Sequence, residues 1–257
     1  MTSYYDLPLL KPPVWTWEVP TYFFVGGAAG AAAVLGAAAQ IAGADEKLVR
    51  DARWIAAIGA SLSAPLLIAD LGRPERFLNM LRVFKPQSPM SVGAWTVAVF
   101  GAGSTAAVFL PNEPLRNAAA GIAAMAGLVM STYTGVLLGA TAIPIWKQHV
   151  KLLPVHFGTS ALGSAVSLLE LRGHRHAALN ALGLGAAIFD SAADLAIERK
   201  AGLLRIAGVL GGPIPLFLRL FGKRKAAAAA TLLGSLLTRF AWVEAGRASA
   251  KDVNAML

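Results

Sequence analysis

Aromatic and acidic side chains gather where the first long apolar segment of the chain begins. Trp15, Trp17, Glu18 and Tyr22 stand close together there. An indole stacks on a flat ring and a phenol or carboxylate hydrogen-bonds ring carbonyls, so this group suits the mouth of a pocket for a flat amphipathic ring. The same residue types also form the aromatic belt at the headgroup level of a membrane. On pattern alone, the belt is the more frequent role.

A second group is the segment DLGRPERF, which begins with Asp70 at the end of the second apolar segment. Gly72 and Pro74 predict that a helix ends here, because proline cannot continue the hydrogen-bond ladder. Asp70 then lies in the last buried turn, where its charge opposes the helix dipole and needs a cation, Arg73 or Arg76. Two roles stay open for Asp70: a structural ion pair, or a proton-handling group beside a pocket.

A third group lies in and after the fourth apolar segment. Tyr133 falls about midway along that segment, and Trp146 and His149 follow its end. A buried phenol normally has a hydrogen-bond partner, which is either a backbone carbonyl of a neighbouring helix or a ligand. Taken alone, Tyr133 favours the structural hydrogen bond.

A fourth group is acidic. Asp190, Asp194 and Glu198 follow at i, i+4 and i+8, so they share one face of the sixth apolar segment. This face either lines a hydrated proton path or forms a solvated helix end that pairs with nearby cations. Arg239 in the last apolar segment likewise needs an anionic partner, which the sequence does not identify.

Several functional classes are excluded by what the chain contains. It has no cysteine, which rules out iron–sulfur clusters and cysteine-based metal sites within it. Three of the four histidines fall in connections and His156 lies near a helix start, so no haem is expected between facing helices. No phosphate-binding loop or zinc motif is present. The net charge of +9 suits lipid headgroups or partner subunits better than nucleic acid.

The elements that position these groups are apolar helices. Of 257 residues, 56% are hydrophobic and only 14% are charged, which is typical of a polytopic membrane protein. Apolar runs of about twenty residues are long enough to span the hydrocarbon core. The sequence predicts an all-α integral membrane protein with eight spans, at about 20–42, 53–71, 92–111, 118–142, 152–171, 177–197, 202–220 and 226–244.

Details of the spans give further expectations. Gly211, Gly212 and Pro213 predict a broken or re-entrant seventh span. Glycine pairs four residues apart in the first and fourth spans (Gly26 with Gly30, Gly135 with Gly139) predict close helix contacts.

An eight-span topology also brings the first three groups to one side of the membrane. Glu18, the segment from Asp70 to Arg76 and the segment from Trp146 to His149 all fall on the side that bears both termini. Lys and Arg are divided almost equally between the two sides, so the positive-inside rule gives no orientation.

Several ordered blocks together resemble the NrfD/polysulfide reductase membrane-subunit family. They are VWTWEVPTYFF from Val14, DLGRPERF from Asp70, SPMSVGAW from Ser88, YTGVLL from Tyr133 with PIW from Pro144, and RFAWVEAGRASA from Arg239. The resemblance implies an eight-helix subunit of two four-helix bundles, with no haem or iron–sulfur cluster of its own. It also implies a quinone, menaquinone or ubiquinone, bound near the surface that docks a partner subunit.

The resemblance further implies roles for individual residues. Tyr22 and Tyr133 would hydrogen-bond the quinone, with Trp17 and Glu18 beside it. Asp70 would be the acidic residue that closes the second helix near the pocket, with Arg73 or Arg76 setting its charge. Proton relay then falls to Asp70 or Glu18.

The implied partners are a four-cluster ferredoxin-type iron–sulfur subunit and a catalytic subunit, either molybdopterin-dependent or multihaem. The implied location is the cytoplasmic membrane of a bacterium or archaeon. Two other functions stay open: a passive anchor for soluble redox subunits, and a transporter or ion channel that uses Asp190 and Asp194.

Overall fold

The computed structural model describes residues 10–70, 73, 75–197 and 202–251, and these residues form helices and connections without strands. The prediction of an all-α protein is therefore confirmed. Within the described residues the helices, in chain order, are α1 Glu18–Ile41, α2 Glu46–Asp70, α3 Glu75–Met80, α4 Pro89–Phe109, α5 Glu113–Gly139, α6 Pro144–Gln148, α7 Leu152–Leu171, α8 Ala177–Ala196, α9 Leu203–Gly211, α10 Pro213–Leu220 and α11 Arg224–Lys251.

Seven helical segments of the described chain are long and apolar enough to cross a membrane, with α9 and α10 counted as one segment, Leu203–Leu220. The remaining one of the eight predicted spans is the sixth, and it corresponds to α8, which has 20 residues. Asn180, Asp190 and Asp194 lower the mean hydropathy of α8, and it is not among the seven. The protein is a multi-pass membrane protein with the predicted order of spans.

The seventh span is interrupted where the sequence predicts it. α9 ends at Gly211 and α10 begins at Pro213, and Gly212 between them has φ −109° and ψ −83°. Proline cannot donate to the helical ladder, so the ladder stops here. A Cβ atom placed on Gly212 would lie 2.6 Å from the Ser191 hydroxyl oxygen. The break is thus also a point of close approach to α8.

Several helices extend beyond the predicted spans. α2 begins at Glu46 instead of residue 53, and α11 runs from Arg224 to Lys251 instead of ending near residue 244. The N-termini of α4 and α5 are set by caps, since Ser88 Oγ accepts from the Ser91 N–H and Asn112 Oδ1 from the Leu115 N–H. Hydropathy detects only the part of a helix that lies in hydrocarbon. The helix itself extends further, through charged turns, to the cap residues outside the hydrocarbon.

The contacts divide the long helices into two four-helix bundles. The first bundle contains α1, α2, α4 and α5, and the second contains α7, α8, the broken helix α9–α10, and α11. The bundles meet mainly where α7 packs against α1 and α5, and where α11 packs against α1. The short helices α3 and α6 lie near the C-terminal ends of α2 and α5.

Glycines allow the helix backbones to approach closely. A Cβ atom on Gly30 would lie 2.5 Å from the carbonyl oxygen of Gly127, so α1 and α5 cross with almost no side-chain volume between them. A Cβ on Gly135 would lie 2.5 Å from the Leu153 carbonyl oxygen, which joins α5 to α7 across the bundle boundary. Both contacts confirm the expectation from the glycine pairs, and they suit packing in lipid.

Candidate functional site

A cavity lies inside the first bundle, at the end where α2 stops and α1 begins. Its wall is mostly apolar but includes both buried phenols of the described chain, Tyr22 and Tyr133, together with the carboxylate of Asp70. Met80 and Met90 close part of its outer side. The remaining lining residues are Trp15, Val19, Phe23, Leu67, Ala94 and Leu137. Three helices, α1, α2 and α5, therefore bring three of the predicted site residues together.

The two phenols form the polar centre of this wall. Tyr22 and Tyr133 are 1% and 6% exposed, and their side chains interact with each other across the α1–α5 interface. The Tyr22 hydroxyl also lies 4.0 Å from Met130 Sδ. The Tyr133 ring lies directly on the α4 backbone, because a Cβ on Gly93 would be 2.3 Å from the Tyr133 hydroxyl oxygen.

Asp70 is half-buried at the end of α2. Its carboxylate accepts a hydrogen bond from the backbone N–H of Thr16 and has Glu18 as an acidic neighbour. The Thr16 hydroxyl in turn donates to the Glu18 carboxylate. Thr16 thereby holds the two predicted proton-relay carboxylates near each other at the start of α1.

The predicted cations near Asp70 lie at the surface. Arg73 and Arg76 are both exposed, and Leu71, Gly72 and Pro74 between Asp70 and α3 lie outside the described residues. Pairing of Arg73 or Arg76 with Asp70 stays a prediction.

Of the two tryptophans before α1, the structure brings Trp15 and not Trp17 to the cavity. The Trp17 side chain is 60% exposed, whereas the Trp15 ring stacks on Trp146 at a centroid distance of 5.5 Å. α1 begins only at Glu18, so Trp17 occupies the cap position and points outward. The two indoles are only two residues apart in the sequence, but the backbone before α1 places only Trp15 at the cavity wall.

The end of α11 supports this segment. Trp146 is fully buried, and its Nε1–H donates to the Trp242 carbonyl oxygen at 2.8 Å. Arg247 donates to the Trp15 carbonyl oxygen. The second bundle thus holds in place the residues that close the first-bundle cavity. The RFAWVEAGRASA block contains both Trp242 and Arg247, so a signal for this support is present in the sequence.

The free volume of the cavity is about 60 Å³. Small-molecule pockets are typically about 300–1,000 Å³, so a flat ring would have to displace side chains. Met80 and Met90 are suited to such a displacement, since methionine has three rotatable bonds and no branch. The phenols and the carboxylate would stay in place around the ring.

The acidic face of the sixth predicted span lies apart from this cavity, in the second bundle. Asp190 is buried, accepts from the Thr159 hydroxyl at 2.7 Å, and lies 3.6 Å from His156 Nδ1. The Asp194 carboxylate packs against Gly208 of α9. Glu198 lies outside the described residues. These acids contact neighbouring helices, so this face is not merely a solvated helix end.

Arg239 does not contact the anionic partner that the sequence predicts for it. Its Nη2 donates to the Phe157 carbonyl oxygen at 3.0 Å, and its guanidinium carbon lies 3.9 Å from the centre of the Phe157 ring. A carbonyl oxygen and an aromatic face, and not the expected carboxylate, contact the guanidinium directly. Together they stabilise a buried cation. Asp190 is its acidic neighbour at longer range.

A larger cavity, about 560 Å³, lies at the opposite end of the first bundle. Its wall is polar, with Arg50, Arg53 and Arg116, and Arg53 donates to Gln40 and Asn117 at 2.7 Å each. None of the sequence-predicted site residues lines it. A polar, arginine-lined wall suits water better than an apolar ring, so the smaller cavity, with its aromatic and phenolic groups, is the better candidate site.

Comparison with known proteins identifies the family of the chain. A protein-family model described as polysulfide reductase, NrfD_2, matches residues 1–253 of the chain. No curated protein matches it in sequence. The family match includes every helix and all the residues of the candidate site. The chain therefore belongs to the NrfD/polysulfide reductase family of membrane subunits.

Proposed function

We propose that this protein is the quinone-reactive membrane subunit of a respiratory oxidoreductase complex. It would pass electrons between an iron–sulfur partner subunit and the menaquinone or ubiquinone pool. The observation that supports this most is the enclosure of two buried phenols and a carboxylate in one mostly apolar cavity. A quinone is an apolar ring with two carbonyl oxygens, so it needs this combination of apolar wall and hydrogen-bond donors.

Different residues at the cavity would hydrogen-bond the quinone, exchange protons with it and provide an aromatic face. Tyr22 and Tyr133 donate hydrogen bonds to quinone oxygens, in place of their interaction with each other. Asp70 in the cavity wall, with Glu18 beside it, exchanges protons with the quinone oxygens, because reduction of a quinone to a quinol takes up two protons and its oxidation releases them. Trp15, held on Trp146, provides a rigid aromatic face.

The proposal requires partners, because the chain has no cysteine to hold a cluster. We assign to the complex a four-cluster ferredoxin-type iron–sulfur subunit and a catalytic subunit, molybdopterin-dependent or multihaem. Exposed apolar side chains surround the cavity end, with Val14, Trp17 and Leu78 each at least 60% exposed. They suit a docked subunit. The location that fits is the cytoplasmic membrane of a bacterium or archaeon.

Replacement of Tyr133 by phenylalanine tests the binding role. We expect the affinity for a fluorescent quinol-analogue inhibitor to fall about five- to tenfold, the equivalent of one hydrogen bond of about 1–1.4 kcal/mol. The measurement is a quenching titration of membranes that contain the assembled complex. Thr132→Val is the matched control, since Thr132 is the adjacent residue of α5, is half-buried, does not line the cavity, and its hydroxyl donates only to carbonyl oxygens of its own helix.

Two results would count against the binding role. Equal affinity in wild type and Tyr133→Phe would remove Tyr133 from the site. Failure of a correctly assembled wild-type complex to bind the inhibitor saturably would make the chain a passive anchor.

Replacement of Asp70 by asparagine tests the proton role. Asparagine retains a carbonyl oxygen for the Thr16 N–H but carries no exchangeable acid proton. We expect quinone-linked turnover to fall by about 10²-fold or more, the usual contribution of a general acid–base group, while the subunits still assemble. Turnover is measured in purified complex and assembly by co-purification. Loss of the complex itself would instead make Asp70 a structural partner.

A further inference from the structure

A cluster of metal-ligating side chains lies on the membrane side opposite the candidate quinone site. One ligand atom from each of Asp45, His174 and His176 lies within 4.8 Å of the other two. Asp45 belongs to the connection between α1 and α2, and the histidines to the connection between α7 and α8. The cluster therefore draws one ligand from the first bundle and two from the second.

The backbone presents these side chains to one another. Gly43 and Gly173 have positive φ angles, 65° and 99°, which allow each connection to turn sharply. His176 has extended backbone angles, φ −68° and ψ 146°. The imidazole rings of His174 and His176 stack nearly parallel, with centroids 6.3 Å apart and an interplanar angle of 20°. Both rings therefore lie side by side next to Asp45.

A buried acid supports the first imidazole. His174 is 6% exposed, and its Nε2 lies 2.9 Å from Oδ2 of Asp51, which is itself 4% exposed. Arg172 holds the other oxygen of Asp51 at 3.0 Å. With Nε2 bonded to a carboxylate, Nδ1 is the nitrogen of His174 that is left for a metal. A carboxylate behind a ligating histidine is the usual outer support of a protein metal site, since it orients the ring and raises its basicity.

We propose that Asp45, His174 and His176 bind one divalent transition-metal ion, and that zinc is the ion they suit best. Two imidazoles with one carboxylate are zinc ligands, whereas magnesium and calcium prefer oxygen ligands alone. Ligand atoms around a tetrahedral zinc lie about 3.3 Å apart, given bonds of about 2.0–2.1 Å. Asp45 and His176 are exposed and can rotate inward to reach that spacing.

The bound ion would fasten the two bundles together at this end. Asp51 of α2 already contacts Arg172 and His174 beyond α7, so the metal extends an existing link between the bundles. A fourth position stays open to water, because Asp45 and His176 both face solvent. This inference is independent of quinone binding, which concerns the other end of the first bundle.

The test is zinc binding to the purified protein in detergent, prepared without a polyhistidine tag. After dialysis with zinc chloride and then against buffer, we expect about one zinc per chain by mass spectrometry. Competition with a chelating dye should show affinity at least about tenfold lower in His176→Ala and in Asp45→Asn, since even outer partners of a metal site contribute about 10–100-fold. Asparagine at 45 keeps the oxygen that accepts from the Lys47 N–H.

Arg175→Ala is the matched control, because it changes the same connection without removing a ligand. It should bind zinc at least as tightly as wild type. Zinc should also raise the melting temperature of wild type and Arg175→Ala but not of His176→Ala. Retention of no zinc by wild type, or equal affinity in wild type, His176→Ala and Asp45→Asn, would overturn the proposal.

Discussion

Replacement of Arg219 by methionine is expected to lower the free energy of unfolding by about 3–5 kcal/mol, the cost of leaving one member of a buried ion pair without its partner. Arg219 of α10 donates two hydrogen bonds to Glu170 of α7, from Nη1 to Oε1 at 2.9 Å and from Nη2 to Oε2 at 2.8 Å. Their side chains are 0% and 2% exposed. The measurement is reversible denaturation of the protein in mixed micelles.

Two further variants isolate the pair. Arg205→Met removes the same charge from the exposed face of α9 and should change the free energy of unfolding by less than about 0.5 kcal/mol, as expected of surface substitutions. The double variant Glu170→Met with Arg219→Met should regain most of the loss, because no buried charge is then left unpaired. If Arg219→Met is as stable as Arg205→Met, the ion pair does not hold the second bundle.

Neighbouring residues explain how α10 accommodates this arginine. Asn180 Oδ1 accepts a further hydrogen bond from Nη1 at 3.4 Å. A Cβ atom on Gly183 would lie 2.3 Å from the guanidinium carbon, so glycine on α8 makes the space for it. The pair therefore joins three segments of the second bundle: α7, α8 and α10.

Replacement of Gly93 by alanine is expected to lower the affinity for the quinol-analogue inhibitor about tenfold or more, a free-energy change of at least about 1.4 kcal/mol. A Cβ at this position would lie 2.3 Å from the hydroxyl oxygen of Tyr133 and 2.4 Å from the adjacent ring carbon. The ring must move away from α4, and its hydroxyl then leaves the position that faces the cavity. Inhibitor quenching in membranes provides the measurement.

Gly101→Ala is the matched control for this substitution. Gly101 lies on the same helix, and nothing is found within 4 Å of a Cβ placed there. Its affinity for the inhibitor should equal that of wild type. Undiminished affinity in Gly93→Ala, with a complex that assembles normally, would show that the position of Tyr133 does not matter for binding. Combined with a loss of affinity in Tyr133→Phe, it would mean that the ring adapts without moving its hydroxyl.

The two predictions concern different bundles, and they separate stability from function. Arg219→Met should weaken the second bundle without touching the cavity. Gly93→Ala should change the cavity by moving the Tyr133 ring, with only a small effect on the rest of the first bundle. An effect of Arg219→Met on inhibitor affinity would indicate that the contacts of α11 with Trp15 and Trp146 transmit changes between the bundles.

The sequence by itself determined the class, the order of the membrane spans and the break in the seventh. These follow from properties that run along the chain: apolar length, proline and glycine positions, and the alternation of sides that each crossing imposes. The same alternation placed Glu18, Asp70 and Trp146 on one side before any contact was known.

Tertiary structure alone decided which side chains face one another. The sequence predicts for Arg219 only a cation at the end of an apolar segment, but packing buries it against Glu170. Trp15 and Trp17 have the same type and similar positions in the sequence, but the backbone before α1 places only Trp15 at the cavity. Asp45 lies more than a hundred residues from His174, so no linear motif unites them. Hydropathy is a one-dimensional property of a helix, whereas the partner of a side chain depends on helix rotation and on close glycine contacts that only the assembled bundles establish.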